Sequence, residues 1–181
     1  RVEFFGDLLR ACDHLKWLQN SMNQKMQILS KYNVSNHYEY KKLQRNNKQM
    51  PYEPFPIHIV VIDEVADLFT STSHKELELV QSARESLLQL SRKARCVGIH
   101  LVLATQRPVA SALDTNIKAN LIGKLCFQMP NYEASKSILD VGDAKLLPLI
   151  AGRAIWSSGN ENVQLQCPSL TDPKNQWKSL E

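Results

Sequence analysis

Two adjacent carboxylates, Asp63 and Glu64, follow directly on the apolar run Ile57-His-Ile-Val-Val-Ile62. An apolar strand that ends in paired acids sets them at the carboxyl edge of a sheet, where α/β proteins bind ligands. In nucleotide hydrolases the first acid of such a pair holds a hydrated Mg²⁺ ion, and the second orients and deprotonates the attacking water. A turn-forming Asp followed by a helix-capping Glu gives the same short string, so the pair alone leaves both readings open. A second apolar run, Ile99 to Ala104, leads straight into Thr105-Gln106-Arg107-Pro108. Polar side chains thus follow two strand-like runs joined by one helix-like stretch. A site at a shared sheet edge accounts for both.

The elements that must position these residues can be read from periodicity. From Gly6 to Lys31, apolar residues Leu8, Leu9, Cys12, Leu15, Leu18, Met22, Met26 and Leu29 recur every three to four positions, which predicts a helix with one buried stripe. Trp17 is expected in the same core. Tyr38 to Arg45 reads as a short second helix, and Asn46 to Pro56 as a proline-bearing linker. The β-branched run at 57–62 is of the kind found in parallel strands buried on both faces. Ser73, with Glu76 three residues on, reads as the cap of a helix that runs to about Cys96 and stops at Gly98. Beyond it, Asp114 to Asn120 and Asn131 to Asp140 read as helices, and Ile122 to Met129 as a third strand. A helical turn from Gly142 to Leu147 precedes strand Arg153 to Trp156, which Gly159-Asn160 joins to Asn162–Gln166 as a hairpin. His58, His100 and Trp156 are expected to be packed within strands. The order strand, helix, strand, helix, strand predicts an α/β fold.

Composition narrows the class. The 181 residues include 43% hydrophobic and 22% charged side chains, near the globular average, which excludes wholesale disorder. The net charge of +4 is unevenly spread: Arg1 to Glu53 carries +4, Asp63 to Glu78 carries −4 and Arg84 to Lys124 carries +5. An acidic knot before a basic stretch suits a metal site beside an anion-binding surface, and ordinary solvated faces suit it too. Arg92, Lys93 and Arg95 favour a helix carboxyl end by their charge, and a subunit contact is the other reading. Cys12, Cys96, Cys126 and Cys167 show no zinc-ligand spacing and read as reduced, mostly buried thiols. No apolar run is long enough to span a membrane. The chain opens on Arg1 with no visible signal peptide, which reads as a piece of something longer.

Four stretches resemble the motor domain of FtsK/SpoIIIE-type DNA translocases: Trp17 to Tyr40 (WLQNSMNQKMQILSKYNVSNHYEY), Ile57 to Leu68 (IHIVVIDEVADL), Leu90 to Pro108 (LSRKARCVGIHLVLATQRP) and Ile117 to Asp140 (IKANLIGKLCFQMPNYEASKSILD). The resemblance covers nearly the whole chain and implies a RecA-like (P-loop NTPase) α/β fold, a three-layer sheet incomplete at its N-terminal side, with an N-terminal helical segment. The implied organisation is a helical segment at 1–50, the ATPase core at 51–170 and a tail at 171–181. The implied activity is an ATP-driven double-stranded DNA translocase, in chromosome segregation or conjugative transfer. Its cofactors would be ATP and Mg²⁺, and its assembly a hexameric ring around the duplex. It implies a cytoplasmic motor in a membrane-anchored protein, with no membrane contact by this segment itself.

Position by position, the resemblance implies Asp63 as the acid on the Mg²⁺ side and Glu64 as the base. Thr105 and Gln106 would sense the γ-phosphate. Lys124 stands where the family keeps an arginine that acts on the neighbouring subunit. The DNA-touching loops match Tyr132 to Lys136 and Ser157 to Glu161, which makes Tyr132, Lys136, Ser158 and Asn160 the candidate contacts. The sequence departs from the family at Lys124 and in lacking a G-x-x-x-x-G-K-[ST] loop: its one Gly-Lys pair, Gly123-Lys124, is followed by Leu125. That loop is expected upstream of Arg1. Two rival readings remain, a motor ATPase that recruits protein substrates to a secretion system and a catalytically degenerate ring component.

Overall fold

A computed structural model describes residues 7–47, 49–51, 53–69, 74–107 and 114–169. The chain divides into two compact units, Arg1–Asn120 and Leu121–Glu181.

In the first unit, helix α1 (Leu8–Lys31) starts where the Asp7 carboxylate accepts the Arg10 N–H at 2.8 Å. Its buried stripe is Cys12, Leu15, Leu18, Met22, Lys25 and Leu29, so Lys25, rather than Met26, occupies the inward position of the second turn from the end. Trp17 departs from the expected core: it is 50% exposed, stacked on His14 and edge-on to His58. Helix α2 (His37–Asn46) is capped by Asn36, which accepts the Glu39 N–H, while the Glu39 carboxylate accepts the Ser35 N–H. It buries Tyr40 against Phe55 of the proline linker.

The linker feeds strand β1 (His58–Ile62), which pairs in parallel with β2 (Ile99–Leu103), His58 opposite Ile99 and Ile62 opposite Leu103. Between them run helix α3 (His74–Lys93) and a 3₁₀ turn (Ala94–Val97). The chain then turns at Gly98, whose φ of 74° is the left-handed conformation that ends helices. Val80, Ala83, Leu87, Leu90 and Ala94 recur at helical spacing and are buried, and α3 packs on α1. The proposed cap at Ser73 lies outside the described residues. Helix α4 (Thr115–Asn120) closes the unit.

Only one face of β1 is covered among the described residues. Ile59 and Val61 are 71% and 65% exposed, whereas His58, Val60 and Ile62 are half-buried. The expectation of burial on both faces is therefore corrected. β-Branched residues favour an extended backbone whichever face is covered, so the run specifies the strand and not the number of layers on it. His100 is likewise exposed, because alternation along β2 sends it to the face opposite Ile99.

The second unit holds an antiparallel sheet in the order β3 (Lys124–Phe127), β4 (Arg153–Ser157), β5 (Asn162–Gln166). The predicted hairpin is present, with Gly159 at φ 93°. The third predicted strand pairs antiparallel with β4. Helix α5 (Tyr132–Leu139) and a 3₁₀ turn (Asp143–Leu146) contribute to a core of Cys126, Leu139, Ala144, Leu147 and Ile155. Buried Ser135 ties them, donating to the Val141 carbonyl and accepting the Ala144 N–H. Trp156 is 41% exposed rather than fully packed, and its ring lies so close over Gly123 that an added Cβ would come within 2.5 Å of it. Cys12 and Cys126 are buried, and burial pushes the Cys126 thiol up to about 11; Cys96 and Cys167 are partly exposed.

Lys25 is the one buried lysine among the described residues. Its ammonium donates to the Pro56 and Val97 carbonyls, at the entry to β1 and just before Gly98, and lies 5.0 Å from the Phe55 ring centre. Burial, assisted by the charge of Lys41, lowers its pKa from 10.5 to about 8. The unfolded chain then binds more protons than the folded one above pH 8, so stability rises with pH until the unfolded amine also titrates. Chemical denaturation should give a folding free energy larger by roughly 1–2 kcal/mol at pH 9.5 than at pH 8. Lys25→Met should abolish most of that rise, and an equal rise in the variant would show that other groups cause it.

Candidate active site

The parallel ladder continues beyond the strands themselves. Ala104 donates its N–H to the Ile62 carbonyl at 2.8 Å, and Val65 donates its own to the Ala104 carbonyl at 2.9 Å. The residues that follow each strand, Asp63-Glu64 and Thr105-Gln106-Arg107, are thereby brought side by side. A 3₁₀ turn (Val65–Phe69) leaves this edge immediately after the acids.

The Glu64 carboxylate lies across the tip of β2. Its Oε1 accepts the Thr105 hydroxyl at 2.6 Å and the Ala66 N–H at 3.2 Å, and its Oε2 accepts the Gln106 N–H at 2.7 Å. Partial burial pushes its pKa up, but the three hydrogen bonds and the positive charge of Arg107 outweigh burial and hold it below the ordinary carboxylate value. Glu64 is therefore ionised at neutral pH and fixed in direction. Asp63 is exposed beside it.

Arg107 closes the arrangement. Its guanidinium lies 3.0 Å from the Asp67 carboxylate in the 3₁₀ turn, and its backbone N–H donates to the Thr105 hydroxyl oxygen. Asp67 in turn donates its N–H to the Glu64 carbonyl at 3.2 Å. Asp67 and Ala66 were not among the sequence candidates. Their signal was position, three and two residues after a suspected catalytic acid, where a tight turn folds the backbone back onto that residue.

The remaining candidates lie in the second unit. Lys124, at the start of β3, forms a 2.7 Å ion pair with Asp140, and its side chain is 19% exposed. Asp140 can be reached because it ends α5 in the left-handed conformation, φ 67°. Tyr132 and Lys136 are exposed and four residues apart on α5, hence on one face. Tyr132 also packs over Gly142. Ser158 and Asn160 are exposed at the β4–β5 hairpin, where the Ser158 N–H donates to the Glu161 carbonyl. Between Ser157 and Gln166 there is no Lys or Arg. Backbone N–H groups and small polar side chains are what this hairpin offers an anion.

No cluster of three or more His, Cys, Asp or Glu occurs among the described residues. A hydrated Mg²⁺ ion does not require one, since it keeps most of its waters and needs one or two carboxylates with substrate phosphates rather than a protein cage. Asp63 is an exposed carboxylate at this edge. No described helix is long and apolar enough to cross a membrane.

The chain resembles known proteins in both sequence and fold. The FtsK/SpoIIIE family model matches residues 2–110. The DNA translocase FtsK of Lactococcus lactis subsp. cremoris is 33% identical over 168 residues, 90% of this chain and 21% of that protein. The DNA translocase SpoIIIE of Bacillus subtilis is 31% identical over 171 residues, 92% of this chain and 21% of that protein. The chain thus spans about a fifth of the length of these relatives. Among solved structures, the pCW3 conjugation coupling protein TcpA, a monomer with ATPγS, superposes with a TM-score of 0.83 at 26% identity, over 96% of this chain and 49% of that one. The type VII secretion ATPase EccC of Thermomonospora curvata superposes at 0.69 with 22% identity, over 92% of this chain and 18% of that one. The fold is that of a P-loop ATPase motor.

Proposed function

The chain belongs to the FtsK/SpoIIIE family, and from that premise we propose that it forms the acidic-pair half of an ATP-driven motor that moves along double-stranded DNA. The observation that carries this reading is the Glu64 carboxylate, ionised and aimed by donors from the neighbouring strand tip at a sheet edge beside exposed Asp63. A carboxylate so held is suited to orient a water and take its proton. Asp63 would hold a hydrated Mg²⁺ ion, which when bound neutralises charge on the phosphate oxygens. Gln106, whose backbone is committed to Glu64, would turn its side chain to the terminal phosphate or the water.

The loop that would cradle the phosphates is not among these 181 residues, so hydrolysis belongs to the intact protein. We assign that protein a hexameric ring, with Lys124 as the cation offered to a neighbouring subunit's nucleotide. Tyr132, Lys136, Ser158 and Asn160 would face the duplex. The motor would work on the cytoplasmic side of a membrane-anchored protein. The curated relatives named DNA translocases, 33% and 31% identical over 90% and 92% of this chain, support DNA over a protein substrate.

The test is ATP hydrolysis by the intact protein with and without duplex DNA. Duplexes of unrelated sequence should stimulate turnover about equally, because phosphate contacts carry no sequence information. Stimulation should fall steeply with salt as counterion release loses its driving force. An advancing motor should also strip a third strand from a triplex. Turnover indifferent to DNA and raised by a secreted protein substrate would favour the secretion reading.

A further inference from the structure

From sequence, Thr105 and Gln106 were both expected to face a nucleotide's terminal phosphate. Hydrogen bonding gives the Thr105 hydroxyl a different partner. Its oxygen accepts the Arg107 N–H at 3.0 Å, so its single proton remains to be placed. Two acceptors compete for it, Glu64 Oε1 at 2.6 Å and the Arg107 carbonyl at 3.4 Å. The shorter contact is also the one to a charged acceptor, and it takes the proton.

Each carboxylate oxygen has two acceptor sites. Oε1 uses both, for Thr105 and the Ala66 N–H, whereas Oε2 uses one, for the Gln106 N–H. The strand backbones are held by the ladder from Ile62 to Val65, and the Arg107 guanidinium also meets Asp67. What remains adjustable is rotation of the Glu64 side chain, and the Thr105 hydroxyl is the one side-chain donor on it among the described residues. We propose that Thr105 is a positioning residue for Glu64: it saturates Oε1 and leaves Oε2 as the oxygen that takes the attacking water.

This assignment rests on Glu64 being the base. At that atom a water proton passes to Oε2, the water oxygen bonds to the terminal phosphorus and the bond from phosphorus to the ADP oxygen breaks. With its hydroxyl engaged by Glu64 and the Arg107 N–H, Thr105 would act on neither phosphate nor water directly. Its removal should therefore slow the chemical step without weakening nucleotide binding, whereas a phosphate sensor would lose its preference for ATP.

The experiment compares Thr105→Val, Thr105→Ser and Glu64→Gln in the intact protein by steady-state ATPase kinetics and by ATP and ADP binding. Valine keeps the shape and removes both the proton given to Glu64 and the oxygen that accepts the Arg107 N–H. Thr105→Val should lower kcat by ~10–10²-fold, a part of what general-base catalysis contributes, with KM for ATP and the ATP-over-ADP preference unchanged. Thr105→Ser should restore most of kcat, which recovery of packing alone would not explain because serine lacks the methyl. A raised KM with lost ATP preference would make Thr105 a phosphate sensor and overturn the proposal, as would unchanged kcat in Thr105→Val beside an inactive Glu64→Gln. Full turnover by Glu64→Gln would instead overturn the assignment of the base.

Discussion

In the intact protein, Glu64→Gln is expected to bind ATP as the wild type does and to hydrolyse it ~10²–10⁴-fold more slowly. An amide has almost the same size as the carboxylate and can still accept a hydrogen bond, but it cannot take a proton from water. The structure adds a second consequence. Both Glu64 oxygens accept hydrogen bonds, Oε1 from Thr105 and Ala66 and Oε2 from Gln106, and an amide has only one oxygen. If that oxygen keeps the Thr105 side, the amide nitrogen meets the Gln106 N–H donor to donor. Glu64→Gln should therefore also loosen the tip of β2, which amide exchange at Gln106 would report as lower protection than in the wild type. Hydrolysis at the wild-type rate would place the base elsewhere. Unchanged exchange at Gln106 would mean that its bond to Oε2 is not what protects it.

Lys124→Ala should lower DNA-stimulated hydrolysis while leaving the ATP affinity of an isolated subunit unchanged. An arginine supplied from a neighbour contributes ~10³–10⁵ in kcat. A lysine offers one compact charge without the bidentate fork, so the loss here should be smaller, ~10–10³-fold. Because Lys124 is paired with Asp140, the alanine variant also removes an ion pair that holds β3 to the end of α5. Asp140→Asn separates the two effects, since it breaks the pair and keeps the cation. A trans role predicts that Asp140→Asn retains or exceeds wild-type turnover, and that Lys124→Arg matches or exceeds it. Mixing Lys124→Ala with Glu64→Gln subunits should give partial rescue, because some interfaces then join an intact Lys124 to an intact Glu64. No rescue in demonstrably mixed rings would make Lys124 a structural partner of Asp140, and Arg107 the next cation to test.

Much of the site was legible because its parts are local. The apolar run at 57–62 followed by two acids, and the run at 99–104 followed by Thr105 and Gln106, are short-range patterns whose meaning depends on strand geometry alone. Helices α1, α2 and α5 were equally legible, from apolar spacing and from caps such as Asn36 and Asn131 that act within a single turn. Lys25 shows how such a pattern misleads. It sits in phase with Leu18, Met22 and Leu29 on the buried stripe, yet its charge kept it out of the expected core. Only the Pro56 and Val97 carbonyls, distant in sequence, make that burial tolerable.

By itself the sequence determined that two apolar strands end in polar side chains, and which residues those are, because backbone propensity and side-chain alternation are local properties. The tertiary structure decided what those side chains do to one another. That Thr105 spends its proton on Glu64, that Arg107 meets Asp67 and that Lys124 meets Asp140 are contacts of a few ångströms between residues as many as 41 positions apart. Such contacts depend on strand register and on where a turn closes. A shift of one residue along β2 would send Thr105 to the other face and leave every local pattern intact.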